Sequence, residues 1–254
     1  MARAEDGEIL VLYVEDNADL ASLTADALEH EDDRFSVATA PDAEAGLSQL
    51  EGASYDCIVS DYEMPGQDGI EFLRTVRERW PDLPFILFTG RGSEEVASDA
   101  VSAGVTDYLQ KEAGTDQYTL LANRIANAVE HARAANHLET LERRYRSLFT
   151  EMNEGVALHE LVFEDGKPVD YRLLEVNEAF EVTLGLMARD VVGKCATEVH
   201  EPAEAPYLDR YATVVETGEP TEFETYYPPL DRHFQVSVFS PADGQFATVF
   251  ADIT

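Results

Sequence analysis

The sequence predicts two unlike architectures in tandem: a parallel α/β sheet with helices on both faces and, beyond a long helix, an α+β domain built on one antiparallel sheet. Three observations predict this. Short apolar runs alternate with helical spacings from residue 8 to about residue 115. An unbroken helical pattern then fills residues 116–152. From Gly155 the chain changes to longer alternating runs, the first two separated by an Asp-Gly pair that suits a hairpin turn.

Residues 8–14, "EILVLYV", read as a buried strand, and 17–30 as a helix with Leu20, Leu23, Ala27 and Leu28 on one face. The alternation repeats through "RFSVATA" and "DAEAGLSQL", then through "YDCIVS" and "GIEFLRTVRERW", whose Ile70, Leu73 and Val76 face inward. "PFILFT" is a strand, "SEEVASDAVSAG" a helix capped by Ser93, and "VTDYLQ" a fifth strand. Crossovers in such a sheet are right-handed. Along 116–152, Leu121, Ile125, Ala128, Val129 and Ala132 form one seam. Leu138, Leu141, Tyr145, Leu148 and Met152 form a second, at steps of three and four. The shortened step between the seams fits a coiled-coil linker with a discontinuity; the alternative is one long helix packing on its own domain. "GVALHELVF" and "DYRLLEVN" make the hairpin around Asp165-Gly166. A helix follows near "APYLDRYATVVETG", and "EFETYYP", "RHFQVSVFSP" and "FATVFADIT" supply three closing strands.

The chain has 254 residues, room for two domains, and carries 51 acidic against 18 basic side chains for a net charge of −33. Lys111, Lys167 and Lys194 are its lysines. The acids are spread through periodic apolar segments, so they do not form a disordered tail. Their mutual repulsion is screened in concentrated salt, where the Debye length falls to about 3 Å at 1 M. A high-salt cytoplasm, of the kind haloarchaea keep, is therefore expected. Without a basic stripe to meet phosphates, direct nucleic-acid binding is not. No apolar run nears the roughly 20 residues that span a bilayer, so no membrane segment is expected. The acidic start reads as no signal peptide, and the expected location is cytoplasmic. Cys57 and Cys195 stand too far apart in sequence to suggest a disulfide framework or a zinc site.

Ligands of open parallel sheets lie beyond the carboxyl ends of the strands. Glu15-Asp16 follows the first strand, Asp61 the third, Thr89-Gly90 closes the fourth, and Lys111 follows the fifth. Three carboxylates at one edge repel; they take up protons or bind a cation. Oxygen ligands with room for water favour Mg²⁺, and a Lys and a Thr hydroxyl opposite suit phosphoryl oxygens. The set predicts phosphoryl transfer to a carboxylate. In order along the chain, "VEDN", "SDYEMPGQDG", "FTG" and "DYLQK" resemble a response-regulator receiver domain of the CheY-like family, over roughly residues 8–130. The resemblance implies a flavodoxin-like, doubly wound five-stranded sheet in the order 2-1-3-4-5. It implies Asp61 as phospho-acceptor, Mg²⁺ held by Glu15, Asp16, Asp61 and the carbonyl of Glu63, phosphoryl contacts from Thr89 and Lys111, and Tyr108 as the switching aromatic. Glu112 follows Lys111 where the family usually has proline. The Asp61-Tyr62-Glu63 spacing also resembles haloacid-dehalogenase-like phosphatases, but there it closes the first strand and not the third. A dinucleotide site would want a Gly-rich first turn, and Glu15-Asp16-Asn17 stands there instead.

"YRSLFTEMNEGV", "EVNEAFEVTLGL", "DVVGK" and "FADIT" are similar to PAS domains, which sense ligands, light or redox state, or dimerise. Cys195 lacks the sequence context of a flavin-adduct cysteine. His200 reads as a loop or cap residue, His159 as a strand residue, and His131 and His137 as solvated helix positions. Ala157, Phe180 and Phe239 either line a cavity, whose ligand the sequence does not name, or serve packing alone. The expected organisation is a receiver at 1–130, a helical linker at 131–150 and a PAS-like sensor at 151–254. The expected function is two-component signalling. A histidine kinase or phosphotransfer protein is the partner of Asp61, homodimerisation runs through the linker helix and PAS module, and a kinase domain is expected beyond Thr254, as in a hybrid sensor kinase. The chain itself is expected to be a phospho-acceptor and not an enzyme. The alternative is a PAS-centred ligand sensor or scaffold with a silent receiver.

Overall fold

A computed structural model describes residues 7–90, 94–200 and 205–254. The chain divides into two units, Met1–Glu139 and Thr140–Thr254. In the first, β1 (Ile9–Val14), β2 (Phe35–Ala40), β3 (Cys57–Ser60), β4 (Phe85–Thr89) and β5 (Asp107–Gln110) form a parallel sheet in the order β2-β1-β3-β4-β5. The intervening helices are α1 (Ala18–Glu31), α2 (Ala43–Gly52), α3 (Gly69–Arg79) and α4 (Glu94–Ser102), with α5 (Asp116–Glu151) following β5. The central strands are buried on both faces, as continuous apolar runs in a covered parallel sheet require. One face carries Val11, Tyr13, Val59 and Ile86 onto Leu28, Leu121 and Ile125; the other carries Leu12, Val14, Ile58 and Leu87 onto Phe72, Leu73 and Val76.

Local chemistry sets the helix starts. The Asn17 side chain accepts the N–H groups of Asp19 and Leu20, Asp42 accepts that of Ala45, and Asp68 with Glu71 forms a capping box. The Ser93 cap expected for α4 lies outside the described residues. Along α5, Leu121, Ile125 and Val129 of the first predicted seam are buried, joined by Tyr118 and Ala122. The second seam is a different surface: Leu138, Leu141, Tyr145, Leu148 and Met152 are all exposed. No helix among the described residues is long and apolar enough to cross a membrane.

The second unit is an antiparallel sheet in the order β7-β6-β10-β9-β8, from β6 (Gly155–Glu164), β7 (Lys167–Val176), β8 (Thr221–Tyr227), β9 (Arg232–Phe239) and β10 (Gln245–Asp252). The β6–β7 turn has positive φ at both Asp165 (51°) and Gly166 (77°), the backbone a two-residue hairpin needs. Helices α6 (Glu178–Leu184), α7 (Ala188–Val191), α8 (Ala196–Val199) and α9 (Leu208–Thr217) lie between β7 and β8. Their apolar residues Phe180, Val191, Ala196, Tyr211 and Val214 join Phe234, Phe246 and Phe250 of the sheet in one core.

Gly155 opens β6 where a side chain has no room: a Cβ there would overlap the Phe250 ring. Gly155→Ala is expected to destabilise the second unit by about 1–3 kcal/mol through overpacking. Urea unfolding at constant salt reads this, with Phe250→Leu in the same chain recovering part of the loss. A Gly155→Ala protein as stable as its parent contradicts the packing.

Candidate functional site

Parallel pairing delivers the polar residues to one edge. Val14 stands opposite Ser60, so Glu15 and Asp61 leave adjacent strands side by side. The Asp61 N–H donates to the Val14 carbonyl at 2.9 Å, and the Lys111 N–H to the Thr89 carbonyl at 2.8 Å. After Asp61 the chain turns through Gly66 (φ 83°) and returns, with the Gly69 N–H donating to the Tyr62 carbonyl at 2.9 Å. A Cβ at Gly69 would overlap the Asp61 carbonyl oxygen. Glycine is thus what lets α3 start directly against the strand end that carries the carboxylate.

Lys111 organises the charge. Its Nζ lies 2.6 Å from Glu15 Oε2 and 3.3 Å from Asp61 Oδ1, and 5.5 Å from the centre of the Phe88 ring. Glu15 is 3% exposed and Asp61 8%, so both carboxylates are largely removed from water. Glu15 is also held by the Tyr13 hydroxyl, which donates to Oε2 at 2.8 Å, and by the Asn17 N–H at 3.4 Å. Asp61 Oδ1 accepts the Tyr62 N–H at 2.8 Å. Asp16 is exposed at the rim, and one carboxylate oxygen from each of Glu15, Asp16 and Asp61 falls within 4.8 Å of the others. This set is oxygen-only, anionic and open on one side, which fits a hard divalent cation such as Mg²⁺. Thr89 is buried at the end of β4, and Glu63 is exposed in the turn after Asp61. Among the described residues the buried Tyr108 hydroxyl has no hydrogen-bond partner, and burial raises its pKa. Glu112 donates its N–H to Gln117 Oε1 at 3.1 Å, a bond proline could not make.

Tyr13 escaped the sequence reading. Its signal is a phenol inside the apolar run "ILVLYV", where a buried hydroxyl must find a partner. In the second unit, His159 is buried in β6 with Nε2 3.1 Å from Thr248 Oγ1. His200 is the C-cap of α8, and the Cys195 thiol is free. A cavity of about 830 Å³ is lined by Phe180 but by neither Ala157 nor Phe239. Ala157 is core, so packing alone accounts for it, and Phe239, 43% exposed, belongs to the outward alternation of β9, which corrects both readings of that residue.

Burial, the largest cause, raises the Asp61 pKa; Glu15 adds to the rise and Lys111 opposes it. A folded-state value above the unfolded one means that the folded chain holds this proton more tightly. Ionised Asp61 therefore costs stability at pH above that value, and the cost vanishes below the unfolded carboxylate range. Asp61→Asn is expected to raise the thermal midpoint of the first unit at pH 7 without divalent cations, the gain fading as pH falls towards about 4. No gain at pH 7, or a gain that grows on acidification, contradicts this electrostatic reading.

Comparison with known proteins matches these two units separately. The family described as response regulator receiver domain matches residues 11–123, and the PAS fold matches residues 169–254. The transcriptional regulatory protein FixJ of Bradyrhizobium diazoefficiens is 36% identical over 107 residues, 42% of this chain and 51% of that protein. The response regulator protein FleR of Pseudomonas aeruginosa is 37% identical over 101 residues, 40% of this chain and 21% of that protein. A protein-glutamate methylesterase/protein-glutamine glutaminase of a Nocardioides species is 36% identical over 108 residues, 41% of this chain and 29% of that protein. The chain thus spans about half the length of the first of these relatives and less of the others. A solved receiver domain from Clostridium thermocellum is 25% identical, covering 50% of this chain and 98% of that one with a TM-score of 0.46. Sheet order, edge residues and family matches agree: the chain carries a response regulator receiver domain followed by a PAS-fold domain.

Proposed function

We propose that this protein is a phospho-acceptor of a two-component phosphorelay, with Asp61 as the acceptor and a histidine kinase or phosphotransfer protein as the donor. The observation that carries the proposal is the Lys111 ammonium set between Glu15 and Asp61 at the sheet edge beside Asp16. An Asp61 carboxylate oxygen attacks the phosphorus of a phosphohistidine, the P–N bond breaks, and the imidazole leaves and takes up a proton. Glu15, Asp16, Asp61 and the Glu63 carbonyl would hold Mg²⁺, which neutralises charge on the transferring phosphoryl oxygens. Lys111 and the Thr89 hydroxyl bind those oxygens in the product. Tyr108, its buried hydroxyl without a partner among the described residues, is the side chain whose packing answers to a move of Thr89.

The proposed parts are the receiver at 1–130, a helical linker at 131–150 and a PAS sensor at 151–254. The exposed seam of Leu138, Leu141, Tyr145 and Leu148 supports homodimerisation through the linker helix, because four large apolar side chains at heptad spacing on one helix face cost free energy in water. Net charge −33 supports a cytoplasm rich in salt, as in haloarchaea; a place in a longer signalling protein such as a hybrid sensor kinase belongs to the same proposal.

Incubation with a small phosphodonor and Mg²⁺ in multimolar KCl is expected to add one phosphoryl mass by intact mass spectrometry. The gain should be lost in Asp61→Asn and on chelation of the cation. Labelling that persists in Asp61→Asn defeats the assignment, and no gain in the parent protein favours a silent receiver serving the PAS module. Light scattering in the same buffer is expected to show a dimer that Leu141→Glu with Leu148→Glu converts to monomer. A monomeric parent contradicts the linker role.

A further inference from the structure

We propose that Tyr13 is a positioning residue: it holds the Glu15 carboxylate so that a single oxygen faces the cation site, and it thereby biases that site towards Mg²⁺ and against Ca²⁺. The proposal rests on the cation-assisted acceptor reading above and deepens it, since that reading gives Tyr13 no part.

Strand alternation brings the two side chains together. Tyr13 and Glu15 stand two residues apart, on β1 and its direct continuation, so they leave the same face of the sheet. The Tyr13 ring is fully buried in the layer that holds Val11, Leu28, Val59 and Ile86, which fixes where its hydroxyl points. That hydroxyl donates to Glu15 Oε2 at 2.8 Å, and the same oxygen accepts Lys111 Nζ at 2.6 Å. A carboxylate oxygen offers two lone pairs, so these two donors saturate Oε2. Among the described residues Oε1 accepts only the Asn17 N–H, at 3.4 Å. It is the oxygen left for a cation, beside the Asp16 and Asp61 carboxylates.

Lys111 alone does not impose this orientation. Its ammonium is a compact charge on a flexible stem with three rotatable donors, and Asp61 Oδ1 shares it at 3.3 Å. The terminal torsion of a glutamate is broad and roughly two-fold, so a carboxylate held by the ammonium alone swings and offers either oxygen or both. The phenol, rooted in the core two residues earlier on the same strand, removes that freedom. The number of oxygens presented then weighs on the choice of ion. Mg²⁺ demands a compact octahedron with little place for a bidentate carboxylate, whereas Ca²⁺ takes about six to eight oxygens and accepts bidentate ones. A pinned Glu15 suits the first ion and a swinging Glu15 the second.

The test titrates the whole chain with MgCl₂ and, separately, with CaCl₂ in multimolar KCl at pH 7. The readout is the carbon-13 shift of the Asp61 carboxyl, which reports this site and not the acids elsewhere on the surface. Tyr13→Phe removes the hydroxyl and keeps the buried ring. It is expected to weaken Mg²⁺ by about tenfold or more, the usual effect of losing a partner that orients a metal ligand. Ca²⁺ should weaken by no more than about twofold, so the ratio of the two affinities falls at least about fivefold. Tyr13→Met takes the place of Tyr13→Phe if that variant does not fold. Val11→Ala loosens the same core layer without touching Glu15, and it is expected to lower the thermal midpoint and leave the ratio unchanged. A ratio that stays constant in Tyr13→Phe, or that falls as far in Val11→Ala, overturns the proposal and leaves the cation site standing. No response of Asp61 to either ion in the parent chain overturns the cation reading and this proposal together. Phosphodonor labelling of Asp61 in the same samples reports the acceptor reading separately.

Discussion

One ammonium group holds the first unit's functional edge together. Lys111 lies within ion-pairing distance of two carboxylates that are almost withdrawn from water. Moving Glu15 and Asp61 into that position costs desolvation and mutual repulsion, and a single positive charge offsets part of both. The Tyr13 hydroxyl and the N–H groups of Asn17 and Tyr62 supply further hydrogen bonds. The balance is incomplete, since Asp61 still holds its proton more tightly than a free carboxyl. A cation or a transferred phosphoryl group alters that balance directly, and it does so at the ends of strands that the rest of the unit exists to align.

Alignment comes from apolar burial and from glycine. Parallel register between β1 and β3 puts Glu15 beside Asp61, and close packing on both faces of the sheet resists a slip, because displaced side chains would meet sites of the wrong shape. Gly69 then brings α3 against the Asp61 carbonyl, where any Cβ would collide. The second unit solves an opposite problem. In a chain with this much negative charge it encloses a cavity whose described walls carry none.

Much of this was legible in the residues. The strand runs, the Asp-Gly hairpin and the edge residues Asp61, Thr89 and Lys111 announce themselves by period and by strand-end position, because burial on two faces and tight turns leave strong local signatures. Tyr13 did not, since a tyrosine in an apolar run looks like any core residue until its hydroxyl is traced to Glu15. Phe239 misled for the converse reason: it is apolar but falls on the outward side of β9, and strand alternation outweighs side-chain type. The cavity wall was the least legible part. Its residues come from β6 to β10 and the helices between, so their convergence is a property of the tertiary fold, and no local pattern encodes it.

The central claim is that Lys111 counterbalances a desolvated acceptor carboxylate. Carbon-13 NMR titration of the Asp61 side-chain carboxyl, in the parent chain and in Lys111→Met at constant high salt without divalent cations, measures it directly. The account predicts a pKa above the ordinary aspartate value in the parent and a further rise when the ammonium is removed. An ordinary value in the parent, or one that does not respond to the loss of Lys111, would contradict it.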